Sequence, residues 1–246
     1  MQHLRLTCLT RLLIVLLALP LGPGPAMAGA WMQQEGKGFA ATHIVYRKDL
    51  IALQGLGTGR DLPVELGYYG EYGLNSRWTL GVDLNVLRGG DAHALLFLRS
   101  PLPQLGKTHV AAELALGTNQ REGRWLAMQR LTLSFGRGFQ ADLAGRDLSG
   151  WMALDLAHEW RSMGLETTWK LDATLGLNRP GQLAPLLQIE TSKGSAGSAT
   201  SITPSLRIPL GPDKLSASQE LLLGIEHKRA GGARSLGVKL ALWHRF

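Results

Sequence analysis

The sequence predicts an all-β chain closed into an antiparallel transmembrane barrel of about twelve strands, and three observations predict it. Segments of strict apolar–polar alternation recur between clusters of Gly, Pro, Asn, Asp and Ser. Beyond Gly36 no window sustains a 3.6-residue apolar stripe for more than about two turns. Charged residues keep to one parity of the alternating segments. The composition agrees: 31 glycines against 11 prolines in 246 residues favour many turns over long helices. Hydrophobic residues at 45% with charged residues at 18% exclude both a disordered acidic chain and an array of membrane helices.

Taken in order, the first element is a leader. Arg5 and Arg11 give a basic start, Leu12 to Leu21 an apolar run, and Ala26-Met27-Ala28 the small-x-small pattern of a secretory cleavage site. The run is too short to span a bilayer as a helix. The expected division is a signal peptide over 1–28 and a barrel over 29–246, with cleavage after Ala30 as the other option. Cys8, the one cysteine of the chain, lies before the apolar run, which argues against a lipid-anchored cysteine. The mature chain then has no thiol, which excludes disulfides, cysteine-ligated metals and a cysteine nucleophile.

The strands follow. In Trp78–Val86, Trp78, Leu80, Val82, Leu84 and Val86 share one face while Thr79, Gly81, Asp83 and Asn85 share the other. Leu165–Leu177 and Leu236–Phe246 divide in the same way. The remaining segments complete a series centred near Ala41, Gly67, Val82, Leu95, Glu113, Leu131, Leu156, Leu171, Gln188, Ser205, Gly224 and Leu240. An even count with both termini on one side suits a closed barrel, which leaves no unpaired edge. Two stretches test the count. Gly136 to Ser149 is too long for a turn, and Leu50 to Leu56 could pair as a strand, so the number becomes ten or fourteen if either is misassigned. With periplasmic termini, the outer loops fall near 47–61, 87–91, 117–125, 161–164, 192–198 and 228–235.

Charge parity separates a membrane barrel from a soluble sandwich. Along the apolar faces, about fifty positions carry no Lys, Arg, Asp or Glu, although a charge at the bilayer midplane costs a barrel about 2–4 kcal/mol. The charges take the opposite parity: Glu65, Asp83, Arg99, Glu113, Arg130, Asp155, Glu159, Lys170, Asp172, Glu190, Arg207, Glu226 and Lys239. A soluble sandwich would have its polar face outside and its dry face inside. From this set Asp83, Glu113, Asp155, Lys170, Asp172, Glu190, Arg207, Glu226 and Lys239 are the candidates to line the lumen.

The last strand ends Leu240-Ala241-Leu242-Trp243-His244-Arg245-Phe246. With a signal peptide and some dozen amphipathic strands, this resembles a bacterial outer-membrane β-barrel protein, in which a C-terminal aromatic residue belongs to the signal read by the barrel-assembly machinery. The resemblance implies a Gram-negative outer-membrane location and makes Phe246 the assembly-signal residue. Its departure is the basic balance, a formal net charge of +7.

Function is less legible. The excess cations fall in the expected outer loops, where Arg47, Lys48, Arg121, Arg124, Lys228 and Arg229 are candidates to contact lipopolysaccharide phosphates. No basic-aromatic motif accompanies the charge, so nucleic acid is not an expected partner. Inside the barrel, Lys170 could pair with Asp172, and Lys239 and Arg207 with Glu226. The expected function is a narrow channel or binding barrel for small polar or charged solutes, with outer-membrane lipid, lipopolysaccharide, the assembly machinery and a small solute as partners. The alternatives are a lipid-active hydrolase, with His158 or His227 near Ser162 or Ser235, and a structural barrel whose basic loops meet lipopolysaccharide. The hydrolase spacing has no Asn-His-Ser or His-Ser-Asn arrangement, and no catalytic residue is assigned. His93 and His109 have no fixed spacing to Cys, Asp or Glu, so neither a metal nor a cofactor is expected.

Overall fold

The computed structural model describes residues 29–58, 62–143, 146–161, 166–195, 197–211 and 218–246. The signal peptide expected over 1–28 lies outside the described residues. Among these residues are twelve strands: β1 (Gly38–Asp49), β2 (Glu65–Asn75), β3 (Trp78–Leu87), β4 (Ala92–Leu105), β5 (Thr108–Arg121), β6 (Arg124–Leu143), β7 (Arg146–Arg161), β8 (Glu166–Leu177), β9 (Ala184–Gly194), β10 (Gly197–Leu210), β11 (Gln219–Ala230) and β12 (Ala233–Arg245). Each pairs antiparallel with its neighbours in sequence. The ring closes where β1 meets β12, in a register running from Phe39↔Arg245 to Asp49↔Ser235. Closure pairs every wall strand on both sides, which removes the edges that twelve successive strands would otherwise expose.

Each of the twelve alternating segments lies in its own strand. The two doubtful stretches resolve without changing the count. Residues 50–56 do not form a strand, because Asp49 accepts a hydrogen bond from the Ile51 N–H at 2.9 Å and starts a one-turn helix, α1 (Leu50–Leu53). The described residues of the 136–149 stretch belong to β6 and β7. β5 stops pairing with β6 at His109↔Gly136, and β8 stops pairing with β7 at Gly150↔Leu177. The β6–β7 ladder continues alone to Leu143↔Arg146. The extra length is a two-stranded ribbon extending past the ring at the end that carries the termini.

Burial follows parity. Leu95 is 1% exposed and Leu96, its neighbour on β4, is 64% exposed. Leu114, Leu116, Ile225 and Val238 join Leu96 in an outer belt of large apolar side chains, each more than half exposed. Water would make such a belt costly, whereas acyl chains solvate it. The inner wall is more mixed than alternation alone suggests. One apolar patch unites Leu95, Phe97, Ala115 and Met128 with Tyr69, and another unites Trp151, Ala153, Leu186, Leu222 and Ala241 with Trp31 and Trp243. Side chains therefore fill part of the bore, as the modest circumference of such a barrel requires.

Candidate functional site

The barrel encloses a cavity of about 470 Å³. Eight of the nine lumen candidates line it: Asp83, Glu113, Asp155, Lys170, Asp172, Glu190, Glu226 and Lys239. The ninth, Arg207, sits nearer the terminal end, 3.5 Å from Glu220 and over the Trp243 ring.

One wall is an ion-pair lattice. Arg99 donates to Glu71 at 2.7 Å, to Glu113 at 2.8 Å and to the Tyr69 hydroxyl at 2.7 Å. Arg130 links Asp83 at 2.6 Å to Glu113 at 3.2 Å. Arg161 and Lys170 both meet Glu159, at 2.6 and 3.0 Å. Glu159 also lies 4.0 Å from Arg130, so the lattice extends from β2 to β8. Glu71, Arg99, Glu113, Arg130 and Glu159 are buried and Asp83, Arg161 and Lys170 half-buried, and charges removed from water persist only where partners compensate them. A second cluster, toward the loop between β1 and β2, holds Arg47 against Glu226 and, at 2.6 Å, Glu65.

Several expected pairings are different. Lys170 bonds Glu159 and not its strand-mate Asp172; Lys239 donates to Gln188 at 3.1 Å and not to Glu226. Arg207 meets Glu220, while Glu226 is taken by Arg47. Pair choice depends on which side chains converge across the curved wall, which linear spacing does not encode. Arg47 is the largest correction. Expected at the lipopolysaccharide rim, it is 7% exposed and points inward, because β1 extends to Asp49 and odd-numbered residues of that strand face the bore. The other rim candidates divide: Lys48, Arg124 and Arg229 are exposed, Arg121 pairs with Glu166, and Lys228 lines the cavity.

Where the lattice ends, β7 to β9 carry carboxylates without ion pairs. Asp155 stands across from Asp172 in the β7–β8 register, and Asp172 across from Glu190 in the β8–β9 register. Three acids thus share one level on adjacent strands. Among the described residues no cation forms an ion pair with them; Glu190 accepts a hydrogen bond from Ser201 at 3.1 Å.

The sequence reading missed the floor of the cavity. Residues 29–37 turn into the bore before β1 begins. Glu35 bridges Gly73 of β2, the Gly36 N–H donates to the Gly73 carbonyl at 3.0 Å, and the Gly73 N–H donates to the Lys37 carbonyl at 2.9 Å. The Gln33 side chain donates to Glu71 at 2.5 Å and its backbone N–H to Thr79 Oγ1 at 3.2 Å. Trp31 lies edge-on to Trp151 of β7, with centroids 6.2 Å apart, and packs in the apolar patch shared by β7, β9, β11 and β12. Gly29 reaches the cavity lining. Two glycines make room. A Cβ on Gly73 would fall 2.1 Å from the Gln34 carbonyl oxygen, and one on Gly136 would fall 2.6 Å from the Trp31 ring. Those inward glycines were the available signal.

Among the described residues, the histidines and serine of the hydrolase alternative do not converge. His158 faces outward between the rings of Trp160 and Trp169, at 4.3 and 4.2 Å. His227 is opposite Leu236, and Ser235 is opposite Lys228, so that histidine and serine point to different sides of the wall. Ser162 lies outside the described residues. His93 contacts Asp83 at 3.2 Å, while His109 rests against Trp31, far along the bore.

No protein-family model and no curated protein matches the chain. Solved structures do. The KdgM porin in complex with disordered oligogalacturonate aligns with TM-score 0.56 at 8% identity, covering 85% of this chain and 99% of that one. An outer membrane channel from Pseudomonas putida F1 aligns with TM-score 0.53 at 11% identity, covering 92% and 100%. The NanC porin aligns with TM-score 0.50 at 10% identity, covering 83% and 98%. At these identities the likeness is one of architecture: the chain has the closed, twelve-strand antiparallel barrel fold that these bacterial outer-membrane channels share.

Proposed function

We propose that the chain is exported to the bacterial outer membrane, where residues 29–246 form a narrow barrel that binds or passes small polar or cationic solutes. The observation that carries this reading is a charged cavity of about 470 Å³ inside a wall whose outer surface is apolar. Outer residues such as Leu96 and Ile225 support acyl-chain contact, and strands of 10 to 20 residues suffice for the span of about 9–11 residues that a tilted strand needs. The acid row Asp155, Asp172 and Glu190 supports a preference for cations. The lumen arginines Arg47, Arg99 and Arg130 are each engaged by carboxylates, so an acidic oligosaccharide, the molecule bound by one porin of the same fold, is not the solute class this interior favours. At the loop end, exposed Lys48, Arg124 and Arg229 suit phosphate groups of lipopolysaccharide. At the seam, the Phe246 N–H donates to the Gly38 carbonyl at 3.0 Å, which suits a terminal residue read during assembly.

Planar-bilayer recording tests the reading. Under a salt gradient the mature protein is expected to give a cation-directed reversal potential that falls toward zero in Asp172→Asn/Glu190→Gln. No conductance from either the mature chain or a chain lacking 29–35 would refute a channel, and unchanged selectivity in the double variant would refute the role of the acid row.

A further inference from the structure

The N-terminal segment enters the bore for a reason that the ion-pair lattice leaves unassigned. Asp155 lines the cavity, yet its Oδ1 is buried with no hydrogen-bond partner among the described residues. Gly29 comes close to that carboxylate: a Cβ built there would lie 3.4 Å from Oδ1 and 3.5 Å from Oδ2. The Gly29 nitrogen is bonded to the same Cα. In an intact chain this nitrogen is a neutral amide, but it is also the atom that cleavage after Ala28 would turn into an ammonium group.

We propose that removal of the leader between Ala28 and Gly29 creates the cation that Asp155 lacks, and that the resulting pair fastens residues 29–37 across the bore as a plug. The chemistry is peptide hydrolysis. Water adds across the Ala28–Gly29 amide, the Ala28 carbonyl leaves as a carboxylate, and the Gly29 nitrogen departs as an amine that takes a proton. Leader removal accompanies export and precedes barrel closure, so the ammonium is present when β7 brings Asp155 into place.

The remaining contacts of the segment are arranged to deliver that end. Pairing at Gly73 fixes the entry beside β2, Gln33 ties the chain to Glu71 and Thr79, and Trp31 anchors it in the patch around Trp151. From Trp31 two residues remain to reach Asp155, and Gly29 adopts φ of +88°, a conformation that turns the chain end and that glycine tolerates. Cleavage after Ala30 would place the new terminus at Trp31 and leave the Asp155 oxygen as it was. The inference thus selects between the two cleavage sites the sequence offers. It rests on the reading of an exported, processed barrel, but not on conduction.

The test has two readouts, both on mature protein purified from outer membranes. N-terminal sequencing is expected to begin at Gly29. Reductive methylation of the α-amine at pH 8 in the folded barrel is expected to run about tenfold slower than in Asp155→Asn, because an ammonium held by a carboxylate exposes less free amine. Asp155→Glu should restore protection, and Asp172→Asn, one strand away, should keep it. Heat-modifiable migration on gels reports that each variant has folded; if Asp155→Asn does not fold, the comparison of Asp155→Glu with a chain bearing one extra N-terminal residue replaces it, with protection expected only in the former. A sequence beginning elsewhere, or equal labelling in wild type and Asp155→Asn, overturns the proposal. Neither measurement uses conductance, so a barrel that passes no ions leaves this inference standing, and a conducting barrel with an unprotected amine removes it.

Discussion

Replacing Arg99 with methionine tests the interior lattice most directly. The guanidinium is 3% exposed and is held by Glu71 at 2.7 Å, Glu113 at 2.8 Å and the Tyr69 hydroxyl at 2.7 Å. Methionine fills much of the volume but leaves the two carboxylates without their shared cation. Glu113 keeps Arg130 at 3.2 Å, whereas Glu71 keeps only neutral donors, Gln33 and Tyr69. Removing one member of a buried pair costs about 3–5 kcal/mol because the other charge stays buried. With a urea dependence of about 2 kcal/mol per molar, the midpoint should fall by about 2 M. Reversible unfolding in lipid vesicles, followed by tryptophan fluorescence, measures this, with exposed Arg124→Met as the control expected within about 0.5 kcal/mol of wild type. Adding Glu71→Gln to Arg99→Met should recover part of the loss, since neutralising the stranded acid removes its cost. Should Arg99→Met unfold at the same urea concentration as the control, the lattice contributes nothing and the reasoning fails.

Three further outcomes follow from the same geometry. Leu114→Arg places a charge on the outer belt at the middle of β5, where the side chain is 52% exposed; vesicle unfolding should show a loss of about 2–4 kcal/mol, while Leu105→Arg at the strand end loses about 0–1 kcal/mol, and equal effects would contradict a bilayer-facing belt. Gly136→Val drives a side chain into the Trp31 ring and should release residues 29–37, read as new tryptic cleavage after Lys37 in the folded protein; continued resistance would argue against the packed plug. Deleting Phe246 removes the last hydrogen-bonded rung between the chain end and Gly38 and should lower the fraction assembled in outer membranes with export unchanged, whereas normal assembly would count against the terminal residue as a signal.

Alternation made much of the wall legible. A strand has a side-chain period of two, so Trp78–Val86 reveals both its extent and its two faces without reference to any other segment. The same rule assigned Asp83, Glu113, Asp155 and Asp172 to the interior. It missed Arg47, because the end of β1 was read as loop, and Glu71, although it shares the inward parity of Glu65 on β2. Partner choice was outside its reach: Lys170 has Asp172 two residues away on its own face but bonds Glu159 on the adjoining strand.

By itself, the sequence determined the series of alternating segments, their phase and the sorting of charge from apolar surface, since each follows from the local two-residue repeat. Only the tertiary structure decided which acid meets which base, that the β6–β7 excess leaves the ring as a ribbon, and that Gly29 lies beside Asp155. Those outcomes depend on closure: joining β1 to β12 brings segments distant in sequence within a few ångströms, and interactions that fall off steeply with distance are set only then.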